Sequence, residues 1–280
     1  MNKHRRKIIL IIISIVAIAA VAIAAAVARN ESVVGGLSVH VSSSNPQKRD
    51  ASDVKPLLSP SEIEQMLLDE YPGLTSSRVK DVDTRGMERF LRANPYIESA
   101  QVGISVGGRV IANTVTRRPI VRVYCNGYSF FVDRYGRCFQ TRKNGNADVI
   151  VASGDFLGPL PNEPDSLDIS AMQEDTLLWS HPLVNIWKLA LFLDESADGY
   201  WRIFDQIFVE SSGDLVLQPK FGNHDIVVGD TADLDEKFSR LKRFYAKGLP
   251  HAGYDSYSRV NIKYKEQIVC TKRKTPAKSR

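Results

Sequence analysis

The chain has 280 residues, enough for one large or two modest folded domains beside an anchor. Its 37 Lys and Arg against 32 Asp and Glu give a formal charge of +5, but the ends carry all of the excess. Lys3, Arg5, Arg6 and Lys7 open the chain, and Lys272, Arg273, Lys274, Lys278 and Arg280 close it, so the stretch between is net acidic and nucleic acid has no electrostatic claim as a partner.

The first element is an apolar run that begins at Ile8 and closes at Ala28, with Ser14 its only polar member. At about 1.5 Å per residue a helix over residues 8–28 spans roughly the 30 Å of a bilayer core. The basic flank lies before the run, whereas Arg29 and Glu31 nearly cancel after it, which predicts a cytoplasmic N-terminus and an extracytoplasmic bulk. Ala26-Val27-Ala28 fits a signal-peptidase site, but a signal core runs only about 7–15 residues, so the reading is an anchor.

Leu37, Val39 and Val41 alternate with Ser38 and His40 as a short strand, and residues 42–55 form a polar loop. Ser59, Pro60 and Glu62 make a capping box for a helix with Ile63, Met66, Leu67 and Tyr71 on one face, stopped by Pro72-Gly73. A second helix starts at Asp83, turns Met87, Phe90 and Leu91 inward, and ends before Pro95. Ala100, Val102, Ile104 and Val106 then alternate as a strand, Gly107-Gly108 turns, and residues 110–115 run back.

Thr116 to Pro119 is the joint to a second domain, because Pro119 cannot donate to a sheet ladder and belongs at a boundary or edge. Asn126-Gly127 is a hairpin turn between residues 120–125 and 128–133, with Tyr135-Gly136 as the next turn. Residues 149–151 form a short strand, and residues 153–176 are loop-rich. Ser180-His181-Pro182 opens a helix carrying Leu183, Ile186, Trp187, Ala190 and Leu193 on one face. Strands follow over residues 203–210, 215–218 and 226–228, and Asp233 with Glu236 is read as the cap of a last long helix. Val260, Ile262 and Tyr264 share one face of a penultimate strand, Lys265-Glu266 turns, and residues 267–271 form a terminal strand.

No nucleophile, metal or cofactor pattern stands out, so no enzyme and no cofactor are expected. Asp165 and Asp168 sit in a polar loop, Asp133 reads as turn chemistry, and His224-Asp225 open a strand after Gly222. Three cysteines, Cys125, Cys138 and Cys270, form no CxxC; Cys125 and Cys138 either remain buried thiols or meet across a hairpin.

The stretches "NPYIESAQV", "RRPIVRV", "FVDRYGRCF", "VVGD" and "YSRVNIKYKEQIV", in this order, resemble the bacterial division proteins of the FtsQ/DivIB family. The resemblance implies an α+β protein with a single transmembrane helix, a POTRA-type β-α-α-β-β domain and a mostly antiparallel β domain with flanking helices. On this sequence it divides the chain into a cytoplasmic tail (1–7), a transmembrane helix (8–28), a POTRA-like domain (29–118), the β domain (119–271) and a basic tail (272–280). It implies a non-catalytic scaffold of the inner membrane and septum, with FtsB and FtsL-like bitopic proteins and other members of the division complex as partners. FtsB is expected to add as a strand at the closing edge, on Tyr264, Gln267, Ile268, Val269, Cys270, Thr271 and Lys272, and proline at Val269 is expected to block it. The alternatives are an outer-membrane assembly or secretion accessory built on POTRA units, and an anchored periplasmic hydrolase.

Overall fold

A computed structural model describes residues 3–44, 55–141, 147–154, 159–253 and 255–273. The middle of the polar loop, residues 45–54, and the basic tail from residue 274 lie outside the described residues. Two compact units divide the chain, Met1–Ser44 with Pro56–Arg117 and, from Arg118 onward, a second.

The first unit begins with helix α1 (Lys3–Glu31), which contains an apolar stretch, Ile11–Ala28, with Ser14 its only polar member and its side chains exposed. That stretch is long and apolar enough to cross a membrane. Strand β1 (Leu37–Ser43) follows, then helices α2 (Pro60–Glu70) and α3 (Thr84–Ala93), then strands β2 (Ile97–Ile104) and β3 (Val110–Thr116). The strands form a three-stranded sheet in the order β1-β3-β2, with β1 parallel and β2 antiparallel to β3. The capping box forms: the Glu62 N–H donates to Ser59 Oγ at 3.2 Å, and the Ser59 N–H donates to Glu62 Oε2 at 2.8 Å. Asp83 caps α3 by accepting from the Gly86 N–H at 2.8 Å. Ile63 and Leu67 of α2 and Met87 and Leu91 of α3 bury their apolar stripe against Ile97, Ala100, Val110 and Ala112 of the sheet, which gives the unit its own core.

The second unit is one nine-stranded mixed sheet with helices. Its strands are β4 (Pro119–Cys125), β5 (Tyr128–Asp133), β6 (Cys138–Gln140), β7 (Ile150–Gly154), β8 (Phe204–Val209), β9 (Leu215–Pro219), β10 (Asp225–Gly229), β11 (Tyr257–Asn261) and β12 (Val269–Lys272). Their order across the sheet is β12-β11-β10-β9-β8-β7-β4-β5-β6. The junctions β4–β7, β7–β8 and β10–β11 are parallel, and the remaining neighbours are antiparallel. Helices α4 (Ile169–Glu174), α5 (Pro182–Glu195), α6 (Leu234–Lys247) and α7 (Leu249–Ala252) accompany it. Leu183, Ile186, Leu189 and Leu193 of α5 and Phe238 and Leu241 of α6 join Val121, Val123, Phe130, Ile207, Leu217, Ile226 and Val260 in one continuous core.

Pro119 sits at a boundary as expected, opening β4 just after the division between the units, where no ladder donor is lost; β4 itself is interior, flanked by β5 and β7. Several other local expectations are corrected. Val106 lies beyond β2 in the Gly107-Gly108 turn and is 87 % exposed, because the alternation of apolar residues outlasts the strand. Asp233 adopts a left-handed φ of 51° and makes no side-chain cap; the buried Lys237 of α6 ties the preceding turn to the helix, its Nζ donating to Asp230 Oδ1 at 2.7 Å. Within 153–176, Asp168 caps α4 through the N–H groups of Ser170 and Ala171. Tyr264 is not part of the penultimate strand, since β11 ends at Asn261; its side chain is about half exposed, apart from the buried Val260 and Ile262.

Candidate functional site: the open margin of the large sheet

A sheet margin carries unpaired main-chain groups unless something closes it. At one end of the large sheet, β6 is closed by the following segment. The Cys138 N–H donates to the Leu167 carbonyl at 3.1 Å, and the Gln140 N–H donates to Asp165 Oδ1 at 3.0 Å. Arg137 bridges to Asp168. The exposed Asp165 thus serves the edge closure, and Asp168 serves as a helix cap.

The smaller sheet closes its β2 margin with side chains of α3. Glu88 Oε1 accepts from the Val102 N–H at 2.9 Å, Arg92 Nη2 donates to the Ala100 carbonyl at 2.7 Å, and the two side chains meet at 3.3 Å. The outer side of β1 shows no such closure among the described residues, but it exposes no large apolar side chain either.

The β12 margin is unclosed like that of β1, but it exposes large apolar side chains, Val269 and Tyr264. β12 has one sheet neighbour, β11, and no hydrogen bond among the described residues closes its other side. The register fixes which groups face outward. The Ile262 N–H donates to the Val227 carbonyl, so residues 260 and 262 direct their main-chain groups to β10, and Arg259 and Asn261 direct theirs to β12. Arg259 pairs with Thr271 and Asn261 with Val269, so Val269 and Thr271 spend their main-chain groups on the internal ladder. Cys270, opposite Val260, and Lys272, opposite Tyr257, point theirs outward. The Arg273 N–H to Ser256 carbonyl bond, 2.9 Å, agrees with that parity and ties down the strand's end.

Side chains sort by the same alternation. Ile268 and Cys270 pack at the border of the core, while Val269 and Thr271 are exposed on the other face. Tyr264 and Gln267 lie in the connection between β11 and β12, where Glu266 takes a left-handed φ of 62°. The carbonyl of Tyr264 accepts from Arg240 Nη2 of α6 at 3.0 Å. Residues 269–272 form the edge strand, with Tyr264, Gln267 and Ile268 in the connection that leads to it, and the Val269 N–H faces β11 rather than the open side.

The groups considered for acid–base chemistry have structural partners. Asp133 Oδ1 accepts from the N–H groups of Tyr135 and Arg137 and shapes the β5–β6 turn. His224 is buried, its Nε2 lies 2.6 Å from Tyr245 Oη, and burial pushes its pKa below the ordinary 6.5. Burial likewise raises the thiols of Cys125 and Cys138, in the latter assisted by Asp133, and both are buried and form no disulfide. No group of three or more His, Cys, Asp or Glu among the described residues is placed to hold a metal. An open cleft of about 390 Å³ lined by Tyr200, Ile203, Phe221, Leu241 and Tyr245 is mostly apolar, and its rim charges Asp198 and Lys242 pair with each other at 2.5 Å.

Sequence reasoning missed the buried ion pair of this unit. Arg118 is 4 % and Asp194 is 3 % exposed; Arg118 Nη1 donates to Asp194 Oδ1 at 2.9 Å and Nη2 bonds Oδ2. The "RRP" joint marked the place, but the partner lies 76 residues away on α5 and leaves no local signal.

The family model described as FtsQ/DivIB, C-terminal related, matches residues 118–271, more than half of the chain. The match begins at the residue of the buried ion pair and ends inside the open strand β12. No curated protein matches the chain. The chain belongs to the FtsQ/DivIB family of cell-division proteins.

Proposed function

We propose that the protein is a non-catalytic, single-pass scaffold of the bacterial division complex that receives a bitopic partner of the FtsB or FtsL type by strand addition at β12, and so takes part in controlling septal wall synthesis. The observation that carries this reading is the margin of β12, unclosed among the described residues at the end of the family-matched domain, with the main-chain groups of Cys270 and Lys272 facing outward beside the exposed Val269 and Tyr264. A partner strand gains main-chain bonds there and finds apolar surface next to them. A basic residue at the edge, Lys272, discourages indiscriminate pairing and favours an acidic partner.

In the same reading α1 is the membrane anchor of an inner-membrane protein at the septum, with residues 1–7 cytoplasmic and the rest extracytoplasmic. Residues 29–118 act as a POTRA-type localisation domain and residues 119–271 as the partner-binding domain. The strand order β-α-α-β-β of the first unit supports the POTRA assignment.

Amide hydrogen exchange on the full-length protein with and without the extracytoplasmic segment of FtsB tests the site. The Cys270 and Lys272 amides exchange freely in the protein alone and become protected in the complex, whereas the Val269 and Thr271 amides are protected in both. A complex that forms without protection at Cys270 and Lys272 refutes strand addition at β12.

A further inference from the structure

The passage from α1 into the first unit has no slack. Between Glu31 and β1 lie residues 32–36, and main-chain bonds hold them along their length. The Val79 N–H donates to the Ser32 carbonyl at 2.9 Å, the Val34 N–H to the Ser77 carbonyl at 2.9 Å, the Gly35 N–H to the Gly108 carbonyl at 3.0 Å, and the Val110 N–H to the Gly36 carbonyl at 3.0 Å. Val33 forms an antiparallel bridge with Arg78. The Glu31 carboxylate, at the last residue of α1, closes on Lys80 Nζ at 2.6 Å and Arg78 Nη1 at 2.9 Å. The apolar helix is thus joined to the small sheet directly, without a flexible linker.

The same bonds carry the β2–β3 turn to the helix end. Gly108 has a left-handed φ of 74°, and a Cβ built there would meet Val79 at 3.3 Å, Ser32 Oγ at 3.5 Å and the Val33 carbonyl at 3.9 Å, so the turn lies against residues 32–33. Two valines stand exposed at this place, Val106 at the turn tip (87 %) and Val33 (58 %). Basic side chains accompany them: Arg78 and Lys80, and Arg109, whose Nη2 comes within 3.2 Å of where a Gly36 Cβ would sit.

Distance indicates what they meet. The apolar stretch Ile11–Ala28 spans about 27 Å at 1.5 Å per residue, and Glu31 lies about 4.5 Å beyond it. A bilayer has a headgroup layer of about 5–8 Å on each side of its hydrocarbon core. With α1 across a membrane, residues 31–33 and the turn packed on them fall inside that layer.

We propose that the β2–β3 turn is a second membrane contact: Val106 and Val33 enter the polar–apolar boundary of the bilayer that α1 crosses, and Arg78, Lys80 and Arg109 lie at the level of the lipid phosphates. Together with α1 this contact fixes the tilt of the first unit on the membrane. The proposal rests on reading α1 as a membrane span, and its test separates the two.

The test uses full-length protein in liposomes with Cys270→Ser, which leaves only the buried Cys125 and Cys138 as native thiols. The environment-sensitive fluorophore NBD is placed in turn at Val106→Cys, at Gln101→Cys on an exposed position of β2, and at Ile18→Cys in α1. Nitroxide lipids labelled near the headgroup or deep in the acyl chain are the quenchers. The expected result is deep quenching at position 18, and shallow quenching at position 106 about twofold or more above that at position 101, some 16 Å away along the strand. Deep quenching at 18 with equal shallow quenching at 106 and 101 overturns the turn contact alone. Absence of quenching at 18 overturns the membrane span and the turn contact with it.

Discussion

Two proline substitutions one residue apart have opposite expected consequences. The N–H of Val269 faces β11, where it pairs with Asn261, whereas the N–H of Cys270 faces away from the sheet. Val269→Pro therefore removes an internal ladder bond and leaves the Asn261 carbonyl without its donor, a loss of about 1–3 kcal/mol of folding stability. Cys270→Pro removes a donor that nothing in the described fold uses, a placement proline tolerates on an edge strand, so stability stays within about 0.5 kcal/mol of the parent. On binding, the order reverses in kind. An incoming strand loses its bond to residue 270 and keeps an unpaired carbonyl, about 1–3 kcal/mol, or roughly a 5- to 150-fold rise in Kd. Cys270→Ala, which keeps the N–H, controls for the side chain packed at the core border. The assay pairs denaturant unfolding with titration calorimetry of full-length protein in nanodiscs against the extracytoplasmic segment of FtsB. Unchanged affinity of a natively stable Cys270→Pro protein refutes strand addition, and an unaltered stability of Val269→Pro refutes the assigned orientation of β12.

Replacing either member of the buried Arg118–Asp194 pair by Ala strands a charge in the core and is expected to cost about 3–5 kcal/mol in denaturant unfolding, with the double variant losing less than the sum of the two. His224 is held below its ordinary pKa of 6.5 by burial, with Arg273 adding to the effect and Asp225 and Asp255 opposing it, so the unfolded chain takes up a proton that the folded protein refuses as pH falls below that value. The stability from this group is complete above about pH 6.5 and declines as the pH drops toward the depressed folded pKa; thermal unfolding from about pH 5 to 8 shows this slope in the parent and a smaller one in His224→Gln. Glu88→Ala with Arg92→Ala opens the β2 margin, which accelerates exchange of the Val102 amide about tenfold, measured by hydrogen-exchange mass spectrometry.

Elements whose signals are local were legible in the sequence. Ser59 and Glu62 satisfy each other across one turn of chain, and Asn126-Gly127 takes positive φ at both positions, 50° and 82°, as a two-residue hairpin turn demands. The failures share a cause as well. Helix α4 has six residues and buries only Ile169 and Met172, too few for a periodic pattern to register. Asp233 has the composition of a cap, but the left-handed backbone that carries the chain from β10 into α6 withholds its carboxylate. Alternation in the closing stretch marks strand character without its limits and groups Tyr264 with Val260, although the chain leaves β11 after Asn261, ahead of the turn at Lys265 and Glu266. Strand order is further from reach. The parallel neighbours β4, β7 and β8 are joined through long connections, and no short-range pattern encodes that Val121 lies beside Ile150 or Val151 beside Gln206.

The margins of the two sheets sharpen the functional argument in a way that the sequence alone did not. Closure at β6 and at β2 uses different means, a returning segment in one case and a Glu–Arg pair in the other, yet both remove the same hazard of unprogrammed strand pairing. The β12 edge has no such closure among the described residues, and unlike the equally unclosed outer side of β1 it exposes large apolar side chains, Val269 and Tyr264. Arg240 fastens the approach to β12 by binding the carbonyls of Ile262 and Tyr264, and Arg273 fastens its exit by donating to the carbonyls of Asp255, Asn223 and Tyr257. An edge held at both ends but uncovered between them is pre-organised: a partner strand that docks there orders little of the receiving protein, and its main-chain bonds translate into affinity with a small entropic loss. In the proposed complex the outward main-chain groups of Cys270 and Lys272 supply the pairing, and selectivity would come from the side chains at 264 and 267–272 and from acidic groups matched to Lys272 and Arg273.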